Sequence, residues 1–84
     1  MVSFKNVNTK DYGKIKRGLK KLVKITPCPS DDKSIIETFD IVSLSFKFPV
    51  TYYKTKTLFV HGDESNKDYK RAIEFIQNSQ KIDS

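Results

Sequence analysis

The chain has 84 residues, of which 37% are hydrophobic and 12% aromatic, and its formal net charge is +6. This length predicts a single small domain over residues 1–84 and leaves no room for a second, and the apolar content excludes a disordered chain. The one cysteine, Cys28, cannot form an internal disulfide, so we expect a reducing, cytoplasmic environment.

Targeting segments and metal sites are not expected either. The first 25 residues lack the apolar core of about 7–15 residues that defines a signal peptide. Nowhere do about 18 apolar residues follow one another, as a membrane-spanning helix requires. Because no Cys/His cluster has the spacing of metal ligands, we predict no metal and no cofactor.

The positive charge is concentrated in one segment. Residues 10–24 contain seven basic side chains and a single acidic one, Asp11, whereas the nine basic and nine acidic residues elsewhere balance. Such a cluster predicts an anionic partner and is the most specific indication of function in the sequence. The basic residues are Lys10, Lys14, Lys16, Arg17, Lys20, Lys21 and Lys24.

A short first strand is predicted within Met1 to Val7, followed by a helix capped by Asn8 or Thr9, with Asp11 in its first turn. Apolar residues then recur at steps of three and four, which predicts one buried stripe. The stripe contains Tyr12, Ile15, Leu19 and Leu22. At about 100° per residue, the opposite side of the helix collects basic residues. These are Lys10, Lys14, Arg17, Lys21 and Lys24.

The two prolines in the segment from Thr26 to Asp32 predict a loop. Ile35 to Phe48 is the longest β-like run, but the parity of its apolar residues shifts along it. A β-bulge near Val42 and Ser43, or a bend between two strands, would bring all of them to one face. They are Phe39, Ile41, Leu44, Phe46 and Phe48. Pro49 is predicted to end the run, because it cannot donate a hydrogen bond to a neighbouring strand.

Two further strands, at Thr51 to Tyr53 and at Thr57 to Val60, are predicted to lead into a second helix. Gly62 would allow a turn at positive φ, and Ser65 would cap the helix with Asp68 three residues later. The buried stripe of this helix is Tyr69, Ala72, Ile73 and Ile76, and fraying is expected from about residue 78. The sequence therefore predicts an α+β domain: an antiparallel sheet of three to four strands with two helices packed on one face.

The stretch from Tyr53 to Gly62 resembles a hairpin of TATA-binding-protein-like domains, as in the amino-terminal substrate-binding domain of ribonuclease HIII. In those domains a tyrosine, a short turn, an aliphatic strand and a glycine lead into the last helix. Here Gly62 matches the final glycine, but Lys56 stands where the family has a turn glycine. The resemblance implies a curved antiparallel sheet with helices behind it and a surface that faces nucleic acid. It implies no catalytic residue.

Three local patterns suggest chemistry beyond the basic helix. His61 next to Asp63 and Glu64 could serve as a general base, but no nucleophile is linked to it by spacing. The acidic pairs at residues 31–32 and 63–64 could bind a hard cation, although paired acids in loops are usually turn residues. The tyrosines and Phe59, together with Lys54 and Lys56, could form a stacking platform for bases.

We therefore predict a domain without enzymatic activity that binds RNA or DNA through the basic edge of its first helix, mainly by phosphate contacts. The predicted binding residues are Lys10, Lys14, Arg17, Lys20, Lys21, Lys24, Lys54 and Lys56. One alternative is a small module that binds an acidic protein, such as a phage inhibitor or a toxin–antitoxin component. Another is a small ribonuclease toxin, in which His61 would act with a lysine and a carboxylate.

Overall fold

The computed structural model describes residues 2–81. Five strands and two helices follow one another along the chain: β1 (Val2–Phe4), α1 (Thr9–Leu22), β2 (Lys24–Pro27), β3 (Ile35–Ser43), β4 (Phe46–Tyr53), β5 (Leu58–Val60) and α2 (Lys67–Lys81). The strands form one sheet in the order β1-β5-β4-β3-β2, and every neighbouring pair is antiparallel. The predicted α+β class is confirmed, but the sheet has five strands instead of three to four. The additional strand is β2.

Helix α1 begins as predicted and ends earlier. The side chain of Asn8 accepts a hydrogen bond from the Asp11 N–H at 2.8 Å, so Asn8 is the N-cap. The helix ends at Leu22, and Lys24 pairs with Val42 as the first residue of β2. The prediction that Lys24 lies on the helix was therefore wrong. Pairing with β3 outweighs helix propensity here, and no local signal in the sequence specifies that pairing.

Thr26 and Pro27 were predicted in a loop but belong to β2, which lies at the edge of the sheet. The Cys28 N–H donates to the Thr38 carbonyl at 3.2 Å. Because alternate residues of an antiparallel strand point their backbone groups to opposite sides, the backbone of Pro27 faces away from β3. Proline is tolerated at this position because its missing N–H would have pointed to the outer edge.

The long β-like run is a hairpin in which β3 and β4 are joined by a turn at Leu44 and Ser45. Of the two arrangements that the sequence left open, the bend between two strands is the observed one. Four of the five apolar residues lie on the helix-bearing face, since Ser43 pairs with Phe46 and Ile41 with Phe48. The fifth, Leu44, lies in the turn, where its φ is 53° and it is 94% exposed.

Pro49 does not end a strand, contrary to the prediction; it lies inside β4. Its carbonyl accepts a hydrogen bond from the His61 N–H at 2.9 Å. The N–H and C=O of one strand residue point to the same side, so the missing donor of Pro49 also faces His61. Since β5 has already ended at Val60, the sheet loses little pairing there.

The connection into α2 also differs from the prediction in two respects. None of the three glycines has a positive φ. A Cβ on Gly62 would lie 2.2 Å from Cδ1 of Tyr69, so this position needs glycine because the Tyr69 ring packs against it. The N-cap of α2 is Asn66, whose side chain accepts from the Tyr69 N–H at 3.0 Å, whereas the Ser65 N–H donates to Asp63 in the preceding turn.

Both helices pack on the same face of the sheet and form one core with it. The core contains the predicted residues Tyr12, Ile15, Leu19, Leu58, Val60, Tyr69, Ala72 and Ile76, while Leu22 and Ile73 are only partly buried against it. Helix α2 continues to Lys81, beyond the expected onset of fraying at about residue 78; residues 82–84 lie outside the described range. Within residues 2–81, neither helix is long and apolar enough to cross a bilayer.

Candidate nucleic-acid interface

Four exposed basic residues form a row along the outer side of α1, away from the sheet. These are Lys10, Lys14, Arg17 and Lys21, which we call the basic edge. They recur at steps of three and four and therefore share one side of the helix. At about 1.5 Å per residue, the row is about 16 Å long. Within residues 2–81, none of the four forms an ion pair with a carboxylate, so their charge is available to an anionic partner.

The opposite side of α1 holds the row in place. Tyr12, Ile15 and Leu19 are buried against the sheet, and the ring of Tyr12 stacks on that of Tyr52, with centroids 4.2 Å apart and planes 6° apart. The Tyr52 hydroxyl in turn donates to the Val7 carbonyl at 2.5 Å. Since Val7 lies two residues before the start of α1, these contacts fix both the rotation and the starting position of the helix. The rotation determines which side chains reach solvent.

Lys16 and Lys20 face the flank of α1 that borders β2 and β3, where a cleft of about 440 Å³ opens. Lys16 donates to Glu37 at 2.6 Å, and Tyr12 donates to the same carboxylate oxygen at 2.5 Å. The charge of Lys16 is therefore already paired with that of Glu37 within the protein. Lys20 is exposed and lines the same cleft, and in the described part of the chain it forms no salt bridge.

The pKa values of this cluster follow from burial and charge. Burial raises the pKa of Glu37, but the hydrogen bonds from Lys16 and Tyr12 and the charges of Lys16 and Lys20 lower it, and the net result lies below its ordinary value. Burial, followed by the hydrogen bond to Glu37, raises the pKa of Tyr12. Glu37 therefore stays ionised and Tyr12 stays protonated at neutral pH, which preserves the network.

The remaining predicted binding residues lie at three other places. Lys24 is exposed on β2, at the end of the sheet near the C-terminus of α1. Lys54 and Lys56 lie in the turn between β4 and β5, and Lys56 is near the start of α1. Lys56 has a φ of 68°, in the left-handed region that favours glycine, and its Nζ donates to Oγ1 of Thr9 at 3.2 Å. Lys56 thus extends the basic edge past the helix N-terminus, whereas Lys24 does not belong to it.

The other face of the sheet is not covered by any described element, and we call it the open face. Its side chains alternate with the buried positions of each strand. It carries three neighbouring aromatic rings, all half-buried: the Tyr53 and Phe59 rings are 5.3 Å apart in an edge-to-face arrangement, and the Phe59 and His61 rings are 6.4 Å apart and nearly parallel. Phe59 and Tyr53 therefore lie together, as the platform hypothesis requires, but on the side of the sheet opposite to α1.

One residue of each acidic pair accepts hydrogen bonds within its own turn. Asp32 accepts from the Ser34 N–H and hydroxyl, which lowers its pKa, and Asp63 accepts from the Ser65 N–H, which lowers its pKa too. Across residues 2–81, no group of three or more His, Cys, Asp or Glu residues is placed to hold a metal ion. The Asp63 carboxylate is hydrogen bonded within its own turn, and the ring of His61 packs against Phe59.

Comparison with protein families, with curated proteins and with solved structures found no match to this chain. Its possible roles therefore have to be argued from its own surfaces.

Sequence reasoning missed the role of Glu37 because its partners are 21 and 25 positions away in the chain. In addition, the register of the β3–β4 pairing shifts just before Glu37, between Ile35 and Glu37, which makes the strand pattern irregular there. Glu37 is placed on the helix side of the sheet by its alternation with Phe39 and Ile41, in the regular part of the strand after this β-bulge. An acidic residue within a β-like run was the only available hint.

Proposed function

We propose that this chain binds RNA or DNA through the basic edge of α1 and acts as a binding domain without catalytic activity. The observation that carries the proposal is the row of four exposed cations, which form no ion pair within residues 2–81, on one side of a helix whose other side is fixed in the core. Clustered lysine and arginine bind a phosphate backbone by releasing its condensed counterions. Affinity comes from phosphates, so base specificity is low.

The length of the row sets the size of the effect. About 16 Å of helix spans four to five phosphates of one strand, at about 3.4 Å per nucleotide along the axis. Four contacts correspond to a slope of about −3 to −4 in a plot of the logarithm of the binding constant against the logarithm of salt concentration. Lys56 adds a fifth possible contact next to the start of α1.

The test replaces Lys14, Arg17 and Lys21 together by glutamine and measures binding of mixed-sequence RNA and DNA over a range of salt concentrations. The slope should flatten by about 2–3 units, equally for all sequences. A matched control replaces Lys67, Lys70 and Arg71 by glutamine. These three residues are also exposed and lie on α2, and their replacement lowers the net charge by the same amount.

Equal slopes for the two triple variants would show that net charge, and not the basic edge, determines binding. If the wild-type chain binds neither single- nor double-stranded nucleic acid at low salt, the proposal fails. The resemblance to TATA-binding-protein-like domains stays a prediction. Two features support it: the sheet has both helices on one face, and Lys56 adopts a glycine-like φ at the position where the family has a turn glycine.

A second candidate is a module that binds an acidic protein. It is favoured by two exposed apolar residues at the β3–β4 hairpin: Leu44 in the turn is 94% exposed, and Phe46 at the start of β4 is 57% exposed. Large apolar side chains at this exposure are typical of protein contacts more than of phosphate contacts. Replacing Leu44 and Phe46 by serine would abolish capture of such a partner and leave nucleic-acid binding unchanged.

A further inference from the structure

The open face of the sheet carries aromatic side chains that a sheet surface in contact only with water does not require. Its positions alternate with the buried residues of the five strands. Besides the three aromatic rings they are mainly hydroxyl-bearing, basic or proline: Ser3, Lys24, Thr26, Thr38, Lys47, Pro49 and Thr51, with Asp40, Val42 and Ile35, the partner of Tyr53. The Thr38 and Thr51 hydroxyls lie 3.3 Å apart across the β3–β4 pair. Among the described residues of this face, Asp40 is the only acid.

Tyr53, Phe59 and His61 keep part of their surface in solvent, although the core on the other face is complete without them. Tyr53 ends β4, Phe59 lies on the neighbouring β5 and His61 directly follows β5, so that each ring packs beside the next. Aromatic rings held rigidly on an exposed surface lose little conformational entropy when a second ring stacks on them. This makes the row suited to stacking with flat ligands.

Cations flank the row on two sides. Lys54 directly follows Tyr53. Lys24 and Lys47 lie at the other end of the face, on either side of Val42, with which both are paired. A surface that combines a row of aromatic rings with cations beyond its ends is complementary to a ligand whose flat groups are joined by phosphates.

From this geometry we infer that the open face binds single-stranded nucleic acid by stacking unpaired bases on Phe59 and Tyr53. A duplex does not offer base faces to a sheet surface, because its bases are stacked on each other. The inference rests on the proposed function for the class of ligand, but it involves a different surface. The basic edge and the open face lie on opposite sides of the sheet, so variants can separate them.

The first test uses Phe59→Leu and measures the affinity for a mixed-sequence RNA of about 12 nucleotides and for the duplex of the same sequence. Loss of one stacked base should weaken single-strand binding by about 5- to 150-fold, and duplex binding should not change. The matched control is Phe46→Leu, the same substitution at an exposed aromatic residue on the helix-bearing face. It should bind both ligands like the wild type.

The second test places a fluorescent reporter in the row. The chain has no tryptophan, so Tyr53→Trp introduces a single indole. Its emission should be quenched when the single strand is added and should not change with the duplex.

The outcomes separate the two proposals. If Phe59→Leu binds the single strand like the wild type and Trp emission does not respond, while the basic-edge variant still flattens the salt slope, the open face is not a binding surface and the proposed function stands. An equal loss for Phe59→Leu and Phe46→Leu also overturns the inference. So does a wild-type dimer that Phe59→Leu dissociates, because a second copy then covers the face. If no nucleic acid binds, both proposals fail.

Discussion

Replacing Gly62 by alanine tests the packing of α2 on the sheet. The added Cβ would lie 2.2 Å from Cδ1 and 2.4 Å from Cε1 of Tyr69, closer than carbon atoms can approach. Tyr69 cannot move away easily, because it is 1% exposed, its ring lies 5.7 Å from that of Phe48, and its hydroxyl donates to the Val60 carbonyl at 3.4 Å. Either the ring or the loop backbone must shift.

Overpacking of this kind costs about 1–3 kcal/mol. The loss is reduced by about 0.4–1 kcal/mol, because alanine restricts the unfolded chain more than glycine does. The difference of these two ranges is about 0–2.6 kcal/mol, and because the new Cβ meets two atoms of a buried ring we expect a net destabilisation of about 1–2 kcal/mol for Gly62→Ala. For a domain of this size, it corresponds to a decrease in Tm of about 4–16 °C, measured by circular dichroism during heating.

Gly13→Ala is the matched control, since it makes the same substitution where there is space. The nearest atom to its new Cβ is Nη1 of Arg17 at 3.3 Å, the end of a flexible side chain. In the interior of α1, alanine should stabilise the protein by up to about 1 kcal/mol, and Tm should rise. The two variants should thus move Tm in opposite directions.

A Gly62→Ala protein as stable as the wild type, next to a stabilised Gly13→Ala protein, would refute the close approach of Tyr69 to the loop. A double-mutant cycle with Tyr69→Leu identifies the cause. If the ring is responsible for the clash, Gly62→Ala should cost much less in the Tyr69→Leu background, and the two substitutions should not be additive.

Three further predictions concern stability. Ile76→Ala should lower the free energy of unfolding, measured in urea, by about 2–5 kcal/mol. Ile73→Ala should lower it less, because Ile76 is fully buried and Ile73 only partly. A larger loss for Ile73→Ala would mean that α2 is rotated about its axis. Leu44→Asn should stabilise the protein by up to about 1 kcal/mol, because asparagine adopts the left-handed backbone conformation of this position more easily than leucine does, and the leucine side chain is 94% exposed. A lower Tm would contradict this. The pKa of Glu37 is lower in the folded than in the unfolded chain. The ionised Glu37 carboxylate therefore stabilises the folded state fully above the ordinary pKa of 4.5, and this contribution is lost as the pH falls through the lower pKa of the folded state. Glu37→Gln should therefore be less stable than the wild type at pH 7, with the difference shrinking in acid; a constant difference would contradict the ion pair.

Sequence reasoning succeeded where the signal is local. The start of α1 depends on Asn8, which contacts a backbone N–H three residues later, and such a cap can be read from the sequence. The buried stripe of α1 depends on a helical period, and the hairpin from β4 to β5 on two β-rich runs around a polar turn. The positions of Lys10, Lys14, Arg17 and Lys21 on one exposed side follow from the same period.

Features that depend on pairing between distant segments could not be predicted. Residues 24–27 are extended because β3 pairs with them, although the preceding basic residues favour continuation of the helix. Gly62 was correctly identified as important, but the reason is the ring of Tyr69 and not its own φ. The aromatic row of the open face could not be predicted, because it depends on the register of β4 and β5, which places Tyr53 and Phe59 side by side.

The proline at the β2 edge has a consequence for self-association. Pro27 is the last residue of β2, and its backbone faces outward, because the next N–H, that of Cys28, donates inward to the Thr38 carbonyl. A strand from another copy that approached this edge would find the Ile25 N–H and then no donor at Pro27. Exposed edges with complete donor rows allow chains to add to each other and to grow into open-ended fibrils. At the edge formed by β2, Pro27 interrupts that row of donors, so we expect it to hinder the addition of a further strand from another copy.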